Sequence, residues 1–130
     1  MKQMFAAVIA GAVLSLGASL ASAQMAEPAK FAETAKGKVL VDAKGMTLYT
    51  WDRDTMPGKS GCNGQCATNW PPLMVSGDAK DMGNWTVVVR DDGGKQWAYK
   101  GKPLYYWKDD KKAGDVEGDN RNNIWHVVAQ

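Results

Sequence analysis

Short stretches of alternating apolar and polar positions predict β-strands along most of the chain. Residues 38–42 form a brief apolar run, and in 46–51 the side chains fall alternately on the two faces of a strand. The Asp-Asp-Gly-Gly at 91–94 is typical of a hairpin turn, because glycine accepts a positive φ without steric cost. Further strands are expected over 85–90, 96–100, 103–107 and 124–128.

No segment after residue 24 shows the 3.6-residue spacing of an amphipathic helix, so no helix is expected there. The fold class predicted is therefore all-β. We expect a small single domain of seven to eight short antiparallel strands.

One phrase occurs twice in the chain and predicts how these strands are organised. Residues 45–54 and 101–110 share Gly, Leu, Tyr, Trp and Asp at matching positions when they are aligned at an offset of 56. Trp70 and Trp125 open further apolar segments at nearly the same offset. Such a repeat indicates that one supersecondary unit was duplicated. Because a single hairpin cannot bury its apolar face alone, we expect two tandem repeats with pseudo-twofold symmetry that complete one core.

The N-terminus carries the parts of a secretory signal peptide. Lys2 precedes an uncharged, mostly apolar stretch, which ends in Ala-Ser-Ala at 21–23, so cleavage is expected before Gln24. An uncleaved membrane anchor is the alternative, since about 20 apolar residues can span a bilayer. Cleavage predicts a periplasmic or secreted bacterial protein with no remaining membrane span. The organisation expected is a signal peptide at 1–23, a flexible segment at 24–36 and a duplicated β domain at 37–130, with repeats at about 37–76 and 84–130.

Charge is nearly balanced, which narrows the classes of partner. The 130 residues include 16 Lys and Arg against 14 Asp and Glu, and the two signs are interspersed. The chain therefore has neither the basic stripe expected of a nucleic-acid-binding protein nor a polybasic patch for a membrane surface.

The repeated phrase and the two downstream tryptophans supply eight candidate ligand-binding residues. Tyrosine and tryptophan offer flat contact area with polar tips, and each aspartate adds a carboxylate. The alternative is an architectural role, in which the aromatic rings form the core and each aspartate accepts backbone N–H bonds in the turn after its strand. The eight candidates are Tyr49, Trp51, Asp54, Tyr105, Trp107, Asp110, Trp70 and Trp125.

Cys62 and Cys66 are the only cysteines, and an oxidising compartment predicts that they form a disulfide. A redox-active dithiol is the alternative. Redox pairs favour two intervening residues and a helix N-terminus, whereas three residues intervene here and no helix is expected.

No metal site and no cofactor are predicted. His126, the sole histidine, is expected to be an ordinary strand residue because it lacks enough partner ligands for zinc. The methionines, which suit Cu(I), are scattered along the chain. The acidic loops at 52–54 and 109–120 lack the residue order of a Ca²⁺-binding EF-hand.

The sequences Tyr-x-Trp-x-x-Asp at 49–54 and 105–110 resemble a motif of the bacterial secreted-repeat family, also described as predicted lipoproteins with a Tyr-x-(Phe/Trp/Tyr)-x-x-Asp motif. Residues 41–49 and 62–73 are similar to the first repeat of that family. The resemblance covers about residues 36–130. It implies an exported repeat unit and no established activity. Members are often lipoproteins, whereas this chain has no lipidation cysteine at its cleavage site.

Two functional hypotheses follow. The first is a non-catalytic binding or interaction module of the cell envelope, whose partner is a small ligand or an envelope protein. Its motivation is that six Trp and four Tyr exceed what a core of this size easily hides. The second is an envelope protein linked to redox chemistry, copper or calcium, acting through the Cys62–Cys66 loop or the acidic loops. No hydrolase or transferase motif is visible, so an enzyme is not expected.

Overall fold

A computed structural model describes residues 27–130 of the chain. The predicted signal peptide at 1–23 and its cleavage before Gln24 lie outside these residues. The elements, in chain order, are β1 (Ala29–Thr34), β2 (Gly37–Asp42), β3 (Tyr49–Trp51), α1 (Gln65–Asn69), β4 (Trp85–Val89), β5 (Lys95–Tyr99), β6 (Lys102–Pro103), a 3₁₀ turn (Arg121–Asn123) and β7 (Trp125–Val127).

The strands form three small antiparallel sheets, which confirms the all-β prediction. The sheet orders are β1-β2, β3-β7 and β4-β5-β6. The β3-β7 sheet joins the two halves of the chain, with Thr50 opposite His126 and Trp51 opposite Trp125, and isolated bridges such as Tyr49 to Tyr105 add to this connection. The observed strands over 85–89, 95–99 and 125–127 lie within one residue of their predicted bounds at both ends.

Strand β1 lies where the sequence predicts a flexible segment at 24–36. It pairs with β2 along its whole length, from Ala29 opposite Asp42 to Thr34 opposite Gly37. Ala29 is buried, and the ring of Phe31 packs edge-on against Tyr99 at 6.1 Å. The alternation was weak in the sequence because alanine carries little apolar signal, yet pairing with the strongly apolar β2 stabilises the strand.

Two other expectations also need correction. A helix forms over Gln65–Asn69, where none was expected; its single turn is too short to show helical periodicity. The predicted strand at 103–107 shrinks to Lys102–Pro103, because Tyr105 leaves that sheet and pairs instead with Tyr49 and Pro72.

The two copies of the repeated phrase meet at Tyr49 and Tyr105. The Tyr49 N–H donates to the Tyr105 carbonyl at 2.8 Å, and the Tyr105 N–H donates to the Tyr49 carbonyl at 2.9 Å. Because the bonds are reciprocal, a pseudo-twofold axis passes between these two residues. The turn glycines before the two strands, Gly45 and Gly101, have matching φ values of +87° and +86°.

Buried side chains form two clusters. The aliphatic core contains Leu40, Leu48, Leu73, Leu104 and the indoles of Trp85 and Trp97, among others. The aromatic core consists of Tyr49, Cys62, Trp70, Tyr105, Trp107 and Trp125. Five of the six tryptophans are buried and Trp51 is half-buried, so this small domain hides more aromatic surface than the sequence suggested. Within residues 27–130, every helix is too short or too polar to cross a bilayer.

Candidate functional site

All eight candidate residues, six from the repeated phrases and the two downstream tryptophans, come together in one cluster. Most of them are buried: Tyr49 and Tyr105 are 0 % exposed, and Asp110 is 7 % exposed. Trp51 and Asp54 are half-buried at the edge of the cluster. The candidates thus form one site shared by both repeats.

Four of the eight form a continuous stack, here called the indole column, in the order Trp51, Trp125, Trp70 and Trp107. At its centre, Trp70 and Trp125 stack with ring centroids 3.8 Å apart and planes 3° from parallel. Trp51 lies on Trp125 at 5.3 Å, and Trp107 lies on Trp70 at 4.4 Å. Along the column, the indoles of the first repeat (Trp51 and Trp70) alternate with those of the second repeat (Trp125 and Trp107). The two repeats therefore interdigitate in the aromatic core.

The two tyrosines pair with the aspartates of the opposite repeat. Tyr49 Oη donates to Asp110 Oδ2 at 2.6 Å, and Tyr105 Oη donates to Asp54 Oδ2, also at 2.6 Å. A short O–H···O⁻ bond of this kind is among the stronger hydrogen bonds in proteins. Sequence reasoning expected each aspartate to serve its own turn and did not anticipate a phenol from the other repeat.

The second oxygen of each carboxylate accepts a backbone N–H seven residues later in the chain. Asp54 Oδ1 accepts from Gly61 at 2.8 Å, and Asp110 Oδ1 accepts from Glu117 at 2.9 Å. The contacts of the two aspartates are therefore equivalent. Each carboxylate fixes the loop after its own strand and a phenol of the other repeat.

Burial shifts the proton affinities of these groups. It raises the pKa of the Tyr49 and Tyr105 phenols, and the neighbouring carboxylates raise them further. Burial also raises the pKa of Asp110, an effect that its hydrogen bonds from Tyr49 and Glu117 oppose. Both phenols therefore remain protonated donors at neutral pH.

A directed chain of hydrogen bonds leads from a buried cation to one of these pairs. Arg90, 4 % exposed, donates from Nη1 to Ser60 Oγ at 3.0 Å. Ser60 Oγ lies 2.6 Å from Tyr105 Oη. Since the Tyr105 proton points to Asp54, Ser60 must donate to Tyr105, which fixes the direction of every bond in the chain.

Arg90 also fastens the loop that carries the cysteines. Its Nη2 donates to the Cys62 carbonyl at 2.7 Å, and Nη1 donates to Gln96 Oε1 at 2.7 Å. Arg90 forms no ion pair with a carboxylate of residues 27–130. No pattern in the sequence predicts this role, because Arg90 is simply the polar residue before a predicted hairpin turn.

Cys62 and Cys66 form the predicted disulfide, with Cα atoms 5.2 Å apart. Cys62 is fully buried against the aromatic core, and helix α1 begins inside the disulfide loop. Both sulfurs are bonded to each other, so no thiol is present for metal binding.

His126 belongs to a polar cluster at the surface. Its Nε2 lies 2.9 Å from Asp52 Oδ2, and its Nδ1 lies 3.2 Å from Asn120 Oδ1. Across residues 27–130, no three side chains of His, Cys, Asp or Glu are grouped so that they could hold a metal ion.

Two of the open clefts on the surface of residues 27–130 are large enough to consider as ligand sites. The larger, here called the C-terminal cleft, has a volume of about 600 Å³ and lies between the β1 side of the domain and the β5-β6 turn. Its lining includes the rings of Phe31 and Tyr99, the amines of Lys100 and Lys102, and the Asp52–His126 pair. The other cleft, of about 470 Å³, is lined in part by Asp42, Met74, Met82, Trp97 and Tyr106.

The carboxylate that lines the smaller cleft is already engaged within the protein. Asp42 accepts bonds from the Lys44 and Met46 amides and from Tyr106 Oη at 2.7 Å. Two exposed lysines of the C-terminal cleft, Lys100 and Lys102, form no ion pair with any other residue of 27–130, whereas the smaller cleft is lined by one such lysine, Lys44. The C-terminal cleft is therefore the better candidate for binding an outside molecule.

Comparison with protein families identifies the repeat. A family model described as a secreted repeat of unknown function matches residues 30–74 and again residues 86–129. The sequence-based repeat bounds were 37–76 and 84–130, and the first match starts earlier because it includes β1. No curated protein and no solved structure matches the chain. The chain belongs to this family of secreted repeats.

Proposed function

We propose that this secreted-repeat protein is a non-catalytic binding module of the bacterial periplasm or exterior, and that its ligand is a small planar organic anion held in the C-terminal cleft. The observation that carries the proposal is the convergence in that cleft of two half-buried rings and two unpaired lysines. A volume of about 600 Å³ lies within the range of roughly 300–1,000 Å³ usual for small-molecule sites.

The eight candidate residues serve, in this proposal, as the structural frame of the domain and not as the ligand site. Their rings are packed against one another and their carboxylates are occupied by phenols and backbone amides. An outside ligand would have to displace those contacts. Duplication also favours an architectural role, since it preserves a packing unit.

The chemistry of the cleft selects the ligand class. Phe31 and Tyr99, packed edge to face at 6.1 Å, present half-buried aromatic surface to a planar apolar group. Lys100 and Lys102 are exposed and line the same cleft, with the Lys100 amine 5.4 Å from the Tyr99 ring centroid, and their positive charge favours an anion. Asp52 is held at 2.9 Å from the His126 ring, which reduces its repulsion of that anion.

Isothermal titration calorimetry with naphthoate and its neutral amide tests this proposal. We expect naphthoate to bind and the amide to bind at least about tenfold more weakly, a difference of about 1.4 kcal/mol. Lys100→Gln with Lys102→Gln should remove that preference for the anion. The matched control, Lys108→Gln with Lys111→Gln, alters two lysines outside the cleft and should retain it.

Two results would overturn the proposal. One is binding of naphthoate that the Lys100 and Lys102 substitutions leave unchanged. The other is no detectable binding of any planar anion in a panel of aromatic carboxylates and sulfonates.

A further inference from the structure

We propose that the indole column is a one-electron relay, which carries an oxidising equivalent from the half-buried Trp51 to the buried phenols of Tyr49 and Tyr105. This activity is independent of the C-terminal cleft. Three features of the aromatic core support it: continuous ring contact, a proton acceptor at each phenol and a charge gradient along the column.

Ring contact is unbroken from the surface to both phenols. Successive indoles of the column have centroids 3.8 to 5.3 Å apart. Tyr49 meets Trp70 edge-on at 5.5 Å, and Tyr105 meets Trp125 edge-on at 5.3 Å. Electron exchange between conjugated rings in contact is fast compared with exchange across saturated atoms, so each step of the path is short.

Each phenol has an acceptor for the proton that oxidation releases, whereas two of the four indoles in the column have none. The Nε1 atoms of Trp51 and Trp107 are buried and have no hydrogen-bond partner among residues 27–130. An indole oxidised there keeps its proton and remains a cation. Each phenol instead stands 2.6 Å from a carboxylate oxygen, and a phenol that has lost an electron is a much stronger acid than the neutral phenol.

Electrons and protons are conserved in each step of the relay. A one-electron oxidant, such as a high-valent metal complex, takes one electron from Trp51 and is itself reduced. Trp125 reduces the Trp51 cation, and Trp70 in turn reduces Trp125. The Trp70 cation takes an electron from Tyr49; the phenol O–H bond breaks, and its proton forms an O–H bond with Asp110. Tyr105 and Asp54 can act in the same way. A one-electron reductant of the hydroquinone class gives one electron to the phenoxyl, releases a proton to solvent and becomes a semiquinone. The phenoxyl recovers its own proton from the aspartic acid.

Positive charge at one end gives the relay a direction. The Arg121 guanidinium lies over the Trp107 ring at 4.5 Å, and the Lys108 amine lies 5.4 Å from the same ring. Both cations disfavour a second positive charge on that indole. Oxidation should therefore settle on Trp51, Trp125 and Trp70, next to the two phenols.

Flash-quench oxidation of the purified protein with tris(bipyridine)ruthenium(III) tests the relay, with transient absorption as the readout. The wild-type protein should yield a phenoxyl signal that follows an indole radical. Tyr49→Phe with Tyr105→Phe should lose most of the phenoxyl signal and prolong the indole radical cation. Asp54→Asn with Asp110→Asn should do the same although both phenols remain, because an amide cannot take the proton.

Tyr106→Phe is the matched control. Tyr106 Oη also donates to a carboxylate, Asp42 Oδ2 at 2.7 Å, but its ring forms no pair with the column. We expect this variant to keep the wild-type phenoxyl yield. If Tyr106→Phe loses as much signal as the double tyrosine variant, the oxidant reaches phenols without the column and the proposal fails.

Trp51→Phe tests the route without a substitution in the fully buried part of the core. Its half-buried position tolerates a smaller ring, and the variant removes the indole nearest the surface. The phenoxyl yield should fall while Tyr49, Tyr105 and both aspartates are intact. An unchanged yield in this folded variant would overturn the proposal.

Discussion

Tyr49 Oη donates a 2.6 Å hydrogen bond to Asp110 Oδ2, so the phenol of the first repeat is held by the carboxylate of the second. The mirror bond joins Tyr105 to Asp54. Neither repeat can satisfy its own tyrosine and aspartate in this arrangement. The repeated phrase therefore acts as a joint that requires both copies.

The buried phenols predict a limit on stability in alkali. Burial and a neighbouring carboxylate raise the pKa of Tyr49, Tyr105 and Tyr106 above their ordinary value of 10.0. Above that pH the unfolded chain loses these protons and the folded chain keeps them, so stability falls as pH rises. Each fully buried phenol should contribute a slope of about 1.4 kcal/mol per pH unit.

Tyrosinate absorbance, followed beside circular dichroism, measures this effect. Three of the four tyrosines should ionise only as the fold is lost. Reversible ionisation of three or more tyrosines in the folded protein would contradict the arrangement of the joint.

The pH dependence of stability expected from Asp110 is opposite in sign to that of a typical ion-paired carboxylate. Burial raises its pKa above the ordinary 3.8, so over the interval between the two values the folded protein binds more protons than the unfolded chain. Stability contributed by this group is present below that interval and is lost as pH rises through it. Relative to Asp110→Asn, the wild-type protein should therefore lose free energy of unfolding as pH increases from about 4.

Urea unfolding at a series of pH values checks this sign. Asp109→Asn, at the exposed neighbouring position, is the control and should run parallel to the wild-type protein. A wild-type stability that rises relative to Asp110→Asn over the same interval would disprove the assignment.

Much of the fold could be predicted because it depends on local pattern. The offset of 56 residues identified the duplication, and strand periodicity identified which residues share a face. Periodicity does not identify which distant residue a side chain contacts. The pairing of Tyr49 and Tyr105 with the aspartates of the opposite repeats therefore could not be predicted from the sequence. The same limit applies to Arg90, whose acceptors come from distant loops.

Gly118 tests how tightly the aromatic core is closed. A Cβ at this buried position would lie 2.9 Å from Trp107 Cβ and 2.9 Å from Tyr49 Cζ. Neither contact can relax without disturbing the indole column or the Tyr49–Asp110 bond. Gly118→Ala should therefore lower the free energy of unfolding by about 1–3 kcal/mol.

Thermal or urea unfolding measures the loss, and Gly61→Ala is the control. A Cβ at Gly61 would meet its neighbours at an ordinary 3.5 Å, so little change is expected there. Equal stability of the two variants would show that the core is looser than these contacts imply.

Arg90 should be irreplaceable by lysine. Its guanidinium donates to Ser60, Gln96 and the Cys62 carbonyl at once, which a single ammonium cannot reproduce. Arg90→Lys should cost at least about 2 kcal/mol of unfolding free energy. Arg53→Lys, at an exposed arginine, should cost almost nothing.

The contribution of Arg90 to stability should depend on the Cys62–Cys66 disulfide. In a Cys62→Ser, Cys66→Ser background the Arg90→Lys cost should shrink, because the loop that presents the Cys62 carbonyl is no longer closed. Urea unfolding measures the free energy of unfolding of these variants. If the effects of Arg90→Lys and of the cysteine substitutions are strictly additive, Arg90 does not hold the disulfide loop in place.

Sequence-based prediction also missed two elements whose residues give little hydrophobic periodicity. Strand β1 offers only alanines and Phe31 on its apolar positions, so the segment read as flexible although β2 provides a complete partner. The single-turn helix α1 fixes residues beside the disulfide without any periodic pattern. Both features depend on tertiary contacts more than on local preference.

Two double-mutant cycles test most directly whether the tyrosine of one repeat pairs with the aspartate of the other. The free energy of unfolding is measured for Tyr49→Phe combined with Asp110→Asn, and for Tyr49→Phe combined with Asp54→Asn. We predict a coupling energy of about 1–2 kcal/mol for the first pair and almost none for the second. Coupling between Tyr49 and Asp54, or none between Tyr49 and Asp110, would contradict a joint built across the two repeats.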